Sequence, residues 1–254
     1  MAVAIINYPF AVFTVSLVGQ WLAAYTGELL RGQGKQISKD EHQDFDVVQA
    51  ATLTLLALII GFSFSMAVTR YDQRKNYEEA EANAIGTERA RAALLPAEVA
   101  ARTRTLLSKY LDQRILFYET RNEAQLIKIN TVTTALQDEL WATVQQAAST
   151  QPTPVVALAL SGMNDVLNSQ GYTQAAWWNR IPIAAWAMMG LIAISSNVLL
   201  GYGERRRGRL RLLVLPVIVS ISLLLIADID SPRGGVIRVL PQNLIALSQS
   251  MKAP

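Results

Sequence analysis

The stretch VVQAATLTLLALIIGFSFSMAVTRYDQRKNYEEAEANAIGTERARAALLP, residues 47–96, changes its chemistry halfway along without any break in the chain. From Val47 to Val68 it carries no charge, and from Arg70 onward a charged residue recurs every few positions. No proline or paired glycine interrupts it before Pro96. A bilayer core about 30 Å thick takes roughly 20 apolar helical residues. The stretch therefore reads as one helix that crosses a membrane and continues into water until Pro96 ends or kinks it.

Working outward, three more apolar runs appear, near residues 5–25, 181–200 and 210–227. The first, YPFAVFTVSLVGQWLAAY, has Tyr8, Trp21 and Tyr25 near its ends, where amphipathic rings favour the headgroup level. Its flank MAVAIINYPF has no Lys or Arg, so it reads as a retained span rather than a cleaved signal. Trp177, Trp178 and Arg180 mark the interface before the third run. The chain is 51% hydrophobic with a mean hydropathy of +0.23, in keeping with a membrane protein.

The expected fold is all-α: a first transmembrane helix in 1–30, a polar loop at 31–46, a second span at 47–69, an extramembrane helical domain at 70–180, the third and fourth spans with a basic loop between them at 181–230, and an amphipathic tail at 231–254. Within the domain no proline or glycine follows Pro96 until residue 152, and Leu107, Leu111, Ile115 and Tyr118 recur at helical spacing, with Leu136, Leu140 and Val144 further on. One or two long amphipathic helices fit that pattern. STQPTP at 149–154 reads as a turn, and Val155–Leu167, too short and polar to span, as a domain helix.

Net charge is only +3 and no basic stretch is interleaved with stacking aromatics, which argues against a nucleic-acid partner. There is no cysteine, His42 is the lone histidine, and the usual phosphate-cradling and catalytic strings are absent. No catalytic set, resident metal or cofactor is expected. The expected partners are the lipid bilayer, other copies of the chain and small inorganic ions.

Arg31, Lys35 and Lys39 lie in the first polar loop, beside Asp40, Glu41, Asp44 and Asp46, and five arginines lie in 203–211. The domain at 70–180 balances 12 basic residues with 12 acidic ones. Lys and Arg in short loops tend to stay cytoplasmic. The chain is expected to be a multi-pass protein of the inner membrane, and the rule places its middle domain extracytoplasmic, although Arg70, Arg74 and Lys75 beside the second span pull the other way.

Along the second span Thr54, Gly61 and Ser65 share one helical face, while Thr52 and Ser63 fall near the opposite one. Such a line suits either a water-filled path or close packing on the first or fourth span. Phe62 and Phe64 flank it and could form a constriction. Past the fourth span, Asp228 and Asp230 could hold a cation or charge a pore mouth, or could close a helix end with one acid paired to Arg233 or Arg238. Glu78, Glu79, Glu81 and Asn83, within reach of Arg70, Arg74, Arg89 and Arg91, read as the salt-bridged surface of a charged helix.

The run from Gly61 to Pro96 resembles the bacterial bestrophin-like domain family, most specifically through Gly61, Phe62, Arg70, Tyr71, Arg74, Glu81, Asn83, Ile85 and Thr87. ADIDSPRGGVIRV after the fourth span is similar to that family's pattern as well. The resemblance implies a homo-oligomeric, anion-permeable channel, a pentamer in bestrophins, whose second span lines the pore. It also implies a calcium clasp after the fourth span and a cytoplasmic domain. Here the clasp is reduced to Asp228 and Asp230, and the aromatic neck to Phe62 and Phe64. The domain's side of the membrane conflicts with the basic-loop rule. A membrane-anchored helical sensor or scaffold without conduction is the alternative.

Overall fold

The structure is a computed structural model that describes residues 5–31, 39–203 and 211–252. Its regular elements are α1 (Pro9–Arg31), α2 (Lys39–Arg91), α3 (Ala97–Glu119), α4 (Glu123–Thr150), α5 (Pro154–Trp178), α6 (Ile183–Gly203), α7 (Arg211–Asp230) and α8 (Gln242–Lys252), with a 3-10 turn at Ala92–Leu94. Four stretches of the described residues are long and apolar enough to cross a membrane, within Pro9–Arg31, Gln43–Leu94, Pro154–Gly203 and Leu212–Asp230. The chain is an all-α integral membrane protein with four transmembrane helices and a long helical domain between the second and third. Most of the two basic loops lies outside the described residues, as do the side chains of 39–42, His42 included.

Helix α2 is a single element of 53 residues, as the unbroken sequence from 47 predicts, and it starts earlier than the apolar run, at Lys39. The chain divides into two compact units, residues 1–70 with 180–238, and residues 71–179 with 239–254. Helix α2 supplies residues to both.

In the first unit α1 packs on α6 and α7. Two glycines set the α1–α6 crossing. A Cβ at Gly27 would collide with the Val198 carbonyl oxygen, and one at Gly201 with the Ala24 carbonyl oxygen. Only glycine lets these backbones approach so closely, which is how helices pack where burying apolar surface gives no drive. Polar side chains add bonds within α1 and from it to α6 and α7. The Gln20 amide nitrogen donates to Ser16 Oγ at 2.6 Å and Ser220 Oγ at 3.2 Å, and Asn197 Nδ2 donates to Gln20 Oε1 at 3.0 Å.

The second unit has an ordinary hydrophobic core, built from Ile85, Leu107, Leu111, Phe117, Leu140, Val144 and Met163 among others. Of the residues found at helical spacing in the sequence, Leu107, Leu111, Tyr118, Leu140 and Val144 are buried in it, whereas Ile115 and Leu136 are only half-buried at its edge. Pro96 ends the long helix, with residues 92–94 tightened into the 3-10 turn and α3 starting at Ala97. Two helices follow, separated at 120–122. Asn122 starts the second of them because its Oδ1 accepts from the free amides of Ala124 at 2.9 Å and Gln125 at 3.2 Å. The expected turn at 149–154 is there too. It hands over to α5 through a Thr153 cap, with Pro154 in the first helical turn, where its missing N–H costs nothing.

Candidate pore-lining helix

At roughly 100° per residue, Thr54, Gly61 and Ser65 fall within about 20° of one line along α2, and Leu56, Ser63 and Ala67 fall on the far side, about 180° to 220° away. Burial follows that division. Leu56, Ser63 and Ala67 are buried, whereas Thr54, Gly61 and Ser65 are exposed. Phe62 and Phe64 sit on the two flanks of the exposed line, 64% and 38% exposed. A Cβ at Gly61 would meet nothing within 4 Å, unlike those at Gly27 and Gly201. Among the described residues, neither the first nor the fourth span approaches Gly61 as closely as the facing helices approach Gly27 and Gly201. Gly61 and Phe64 border an apolar groove of about 570 Å³ shared with Leu215, Ile218 and Ser222 of α7.

Three threonine hydroxyls on this segment donate to their own helix. Thr54 Oγ1 bonds the Ala50 carbonyl at 2.8 Å, Thr52 Oγ1 that of Val48 at 2.7 Å, and Thr69 Oγ1 that of Ser65 at 2.9 Å. This lets a polar side chain sit on an apolar helix with its donor satisfied, leaving the oxygen's outer face for water or an ion.

Beyond Arg70 the buried face of α2 turns polar, and the expected salt-bridged surface is corrected. Arg74, Glu78, Glu81 and Glu88 are buried, and only Glu79 and Asn83 of the acidic group remain exposed; Tyr71 packs against the core and Arg70 is half-buried. Glu81 pairs with Arg114 of α3, both wholly buried, and also accepts from Thr173 Oγ1 at 3.2 Å and Tyr118 Oη at 3.4 Å. Burial, the largest single influence, would lower the Arg114 pKa, but the Glu81 carboxylate together with Tyr110 and Tyr118 raises it, while burial and the same carboxylate push Tyr118 up. Glu78 receives the start of α8, from Asn243 N at 2.9 Å, Asn243 Nδ2 at 2.6 Å and Leu244 N at 3.0 Å. Arg114, Thr173 and Asn243 were not singled out in the sequence. The available signal was the i, i+3, i+7, i+10 spacing of Glu78, Glu81, Ile85 and Glu88, which is that of a buried seam.

Both acids, in the last turn of α7, are filled within the first unit. Asp228 accepts from the amides of Val236 at 2.7 Å and Ile237 at 2.8 Å, folding the chain back on itself; a Cβ at Gly235 would collide with the Asp228 carbonyl oxygen, which accounts for a glycine there. Asp230 accepts from Arg180 Nε at 2.9 Å and the Ile181 amide at 3.2 Å, and Arg180 reaches on to Asn7 at 2.8 Å. This is the helix-closing alternative, with a partner from the loop before α6. Among the described residues no group of three or more His, Cys, Asp or Glu side chains is arranged to hold a metal ion.

The description of the bestrophin-like domain matches residues 15–244. The chain belongs to the bestrophin-like family. This bestrophin-like chain is similar in fold to solved structures of a bacterial bestrophin homolog from Klebsiella pneumoniae. A zinc-phased structure shares 15% identity over 94% of both chains with a TM-score of 0.62. Two single-residue variants share 15% identity over 94% of this chain and 93% of that one (TM-score 0.62), and 14% identity over 96% of both (TM-score 0.61). No curated protein matches the chain.

Proposed function

We propose that the chain is the subunit of a homo-oligomeric ion channel of the inner membrane, in which the Thr54, Gly61 and Ser65 line of α2 faces a central water-filled path and Phe62 or Phe64 forms the constriction. The observation that carries this reading is the uncovered state of that line: it points away from the chain's own buried face, and among the described residues none comes within 4 Å of a Cβ placed on Gly61. A four-span subunit needs a ring of copies to enclose a pore, and family membership supports a pentamer and an anion as the permeant ion. Hydroxyls and a bare backbone lower the cost of water at membrane depth, and a ring of phenylalanines gates by dewetting. Asp228 and Asp230 enter as supports of the turn after α7 rather than as a calcium clasp, since their oxygens are filled by amides and Arg180.

The test is conductance of the purified oligomer in planar bilayers under chloride gradients. Ser65→Leu should reduce unitary conductance and Phe62→Ala should raise open probability, with oligomer size unchanged. Loss of assembly instead assigns the line to packing between copies. No conductance for chloride, nitrate, sodium or potassium at any voltage or pH removes the channel reading in favour of a membrane-anchored scaffold. Orientation follows the basic-loop rule, with the middle domain outside. Because the chain has no cysteine, Lys109→Cys and Gly208→Cys report it with an impermeant thiol reagent on intact cells; labelling of Gly208→Cys alone places the domain in the cytoplasm.

A further inference from the structure

Three acids lie on the buried face of α2 beyond the membrane, and one of them is left over. Glu78 and Glu81 are filled by α8 and Arg114. Glu88 is 0% exposed, and among the described residues neither of its carboxylate oxygens has a hydrogen-bond partner. It is directed at Gly162 in the middle of α5: a Cβ there would collide with Glu88 Oε2 and lie 2.6 Å from Arg91 Nη1. A bare glycine thus makes room for a carboxyl group that it cannot bond. The charged groups bearing on Glu88 are Arg91 of its own helix and Asp165 of α5, one turn past Gly162. Neither compensates it fully. Arg91 makes no ion pair with it, Asp165 repels it, and the nearby Arg89 is turned to Ser108 at 3.3 Å.

An ionised carboxylate without donors is costly in such a place, and the group keeps its proton instead. Burial, lessened by Arg91 and reinforced by Asp165, raises the pKa of Glu88 to about 8.

We propose that Glu88 is a proton-binding site that controls the α2–α5 contact: protonated, it packs neutral against Gly162; deprotonated, it turns to Arg91 and water, and α5 opens from α2. The sign follows from linkage. Closed, the group holds its proton up to about pH 8; open, it has the ordinary value of 4.5. The contact is at full strength below pH 4.5, weakens as pH rises toward 8 and is constant above. Each pH unit inside that window multiplies the opening equilibrium by about ten, because one proton is released per opening.

Hydrogen exchange of the purified full-length protein tests this whether or not the protein conducts. Protection factors, which already exclude the intrinsic pH dependence of exchange, should fall in α5 by up to about tenfold per pH unit between pH 5 and 8 in the wild type, then level off. They should be flat in Glu88→Gln. Asp165→Asn, an exposed change, should bring the levelling to lower pH, because a repelling charge is gone. Flat protection in the wild type overturns the proposal, as does the same fall in Glu88→Gln. If Glu88→Gln does not assemble, an Asp165→Asn curve superimposable on the wild type overturns it equally.

Discussion

Replacing Arg114 with Met isolates the most deeply buried charge pair in the second unit. Both partners are wholly buried. The guanidinium also lies 4.4 Å from the Phe117 ring centroid, an attraction of up to about 2 kcal/mol when desolvated. Methionine fills much of the stem volume, so the loss is chiefly electrostatic. It leaves Glu81 with only the Thr173 and Tyr118 hydroxyls, at 3.2 and 3.4 Å, as donors. Breaking one side of a buried pair costs about 3–5 kcal/mol, because the remaining charge is stranded. Glu81→Gln should cost a similar amount, stranding the arginine. The double variant should return to within about 2 kcal/mol of wild type, since neither charge is then left alone. Urea unfolding in mild detergent measures this, read by tryptophan emission in a background with the other four tryptophans replaced by Phe, which leaves Trp177, whose ring packs 4.9 Å from Phe117 and 5.4 Å from Tyr118. A cost for Arg114→Met below about 1 kcal/mol, or simple additivity in the double variant, would refute the claim that the pair is desolvated and coupled.

Two further outcomes follow from the packing. Gly201→Leu should prevent the α1–α6 crossing and sharply reduce detergent-stable protein, since the new Cβ meets the Ala24 backbone, whereas Gly190→Ala, with nothing within 4 Å, should leave yield and melting temperature near wild type; equal behaviour of the two would contradict the close approach. Glu78→Ala should release the amino-terminal end of α8, at a cost of about 1.5–3 kcal/mol for its charged hydrogen bonds, seen as faster proteolysis within residues 240–252, and unchanged cleavage would mean that other contacts hold the helix.

What the sequence made legible was whatever depends on local chemistry. An uncharged run passing into a charged one with no breaker is enough to specify α2, and Pro96 is enough to stop it. The break at 120–122 was harder to place, because Asn122 reads as a helix cap only when its neighbours are known to stop bonding. The largest misreading concerned Glu78 and Glu81. Charged residues beside arginines within a turn or two suggest a solvated surface, yet their partners come from 33 positions away in Arg114 and 165 away in Asn243. No local pattern names such partners. The seam spacing alone hinted that these acids face inward. Asp230 is a similar case: its position at the end of the fourth span was legible, and its partner Arg180, 50 residues earlier, was not.

Small residues in membrane helices carry one signal and two meanings, and the glycines here separate them. Gly27 and Gly201 are packing glycines, for any side chain would strike the backbone of the facing helix. Gly61 has no such neighbour and stands on the exposed line opposite Leu56, Ser63 and Ala67. No described residue of this chain imposes glycine at 61, and on the proposed function the demand comes from a lumen in which a side chain would narrow the path or from the helix of another copy. The two demands respond differently to size. A lumen tolerates Gly61→Ala with a graded loss of conductance, whereas a tight contact between copies loses assembly at the first methyl group.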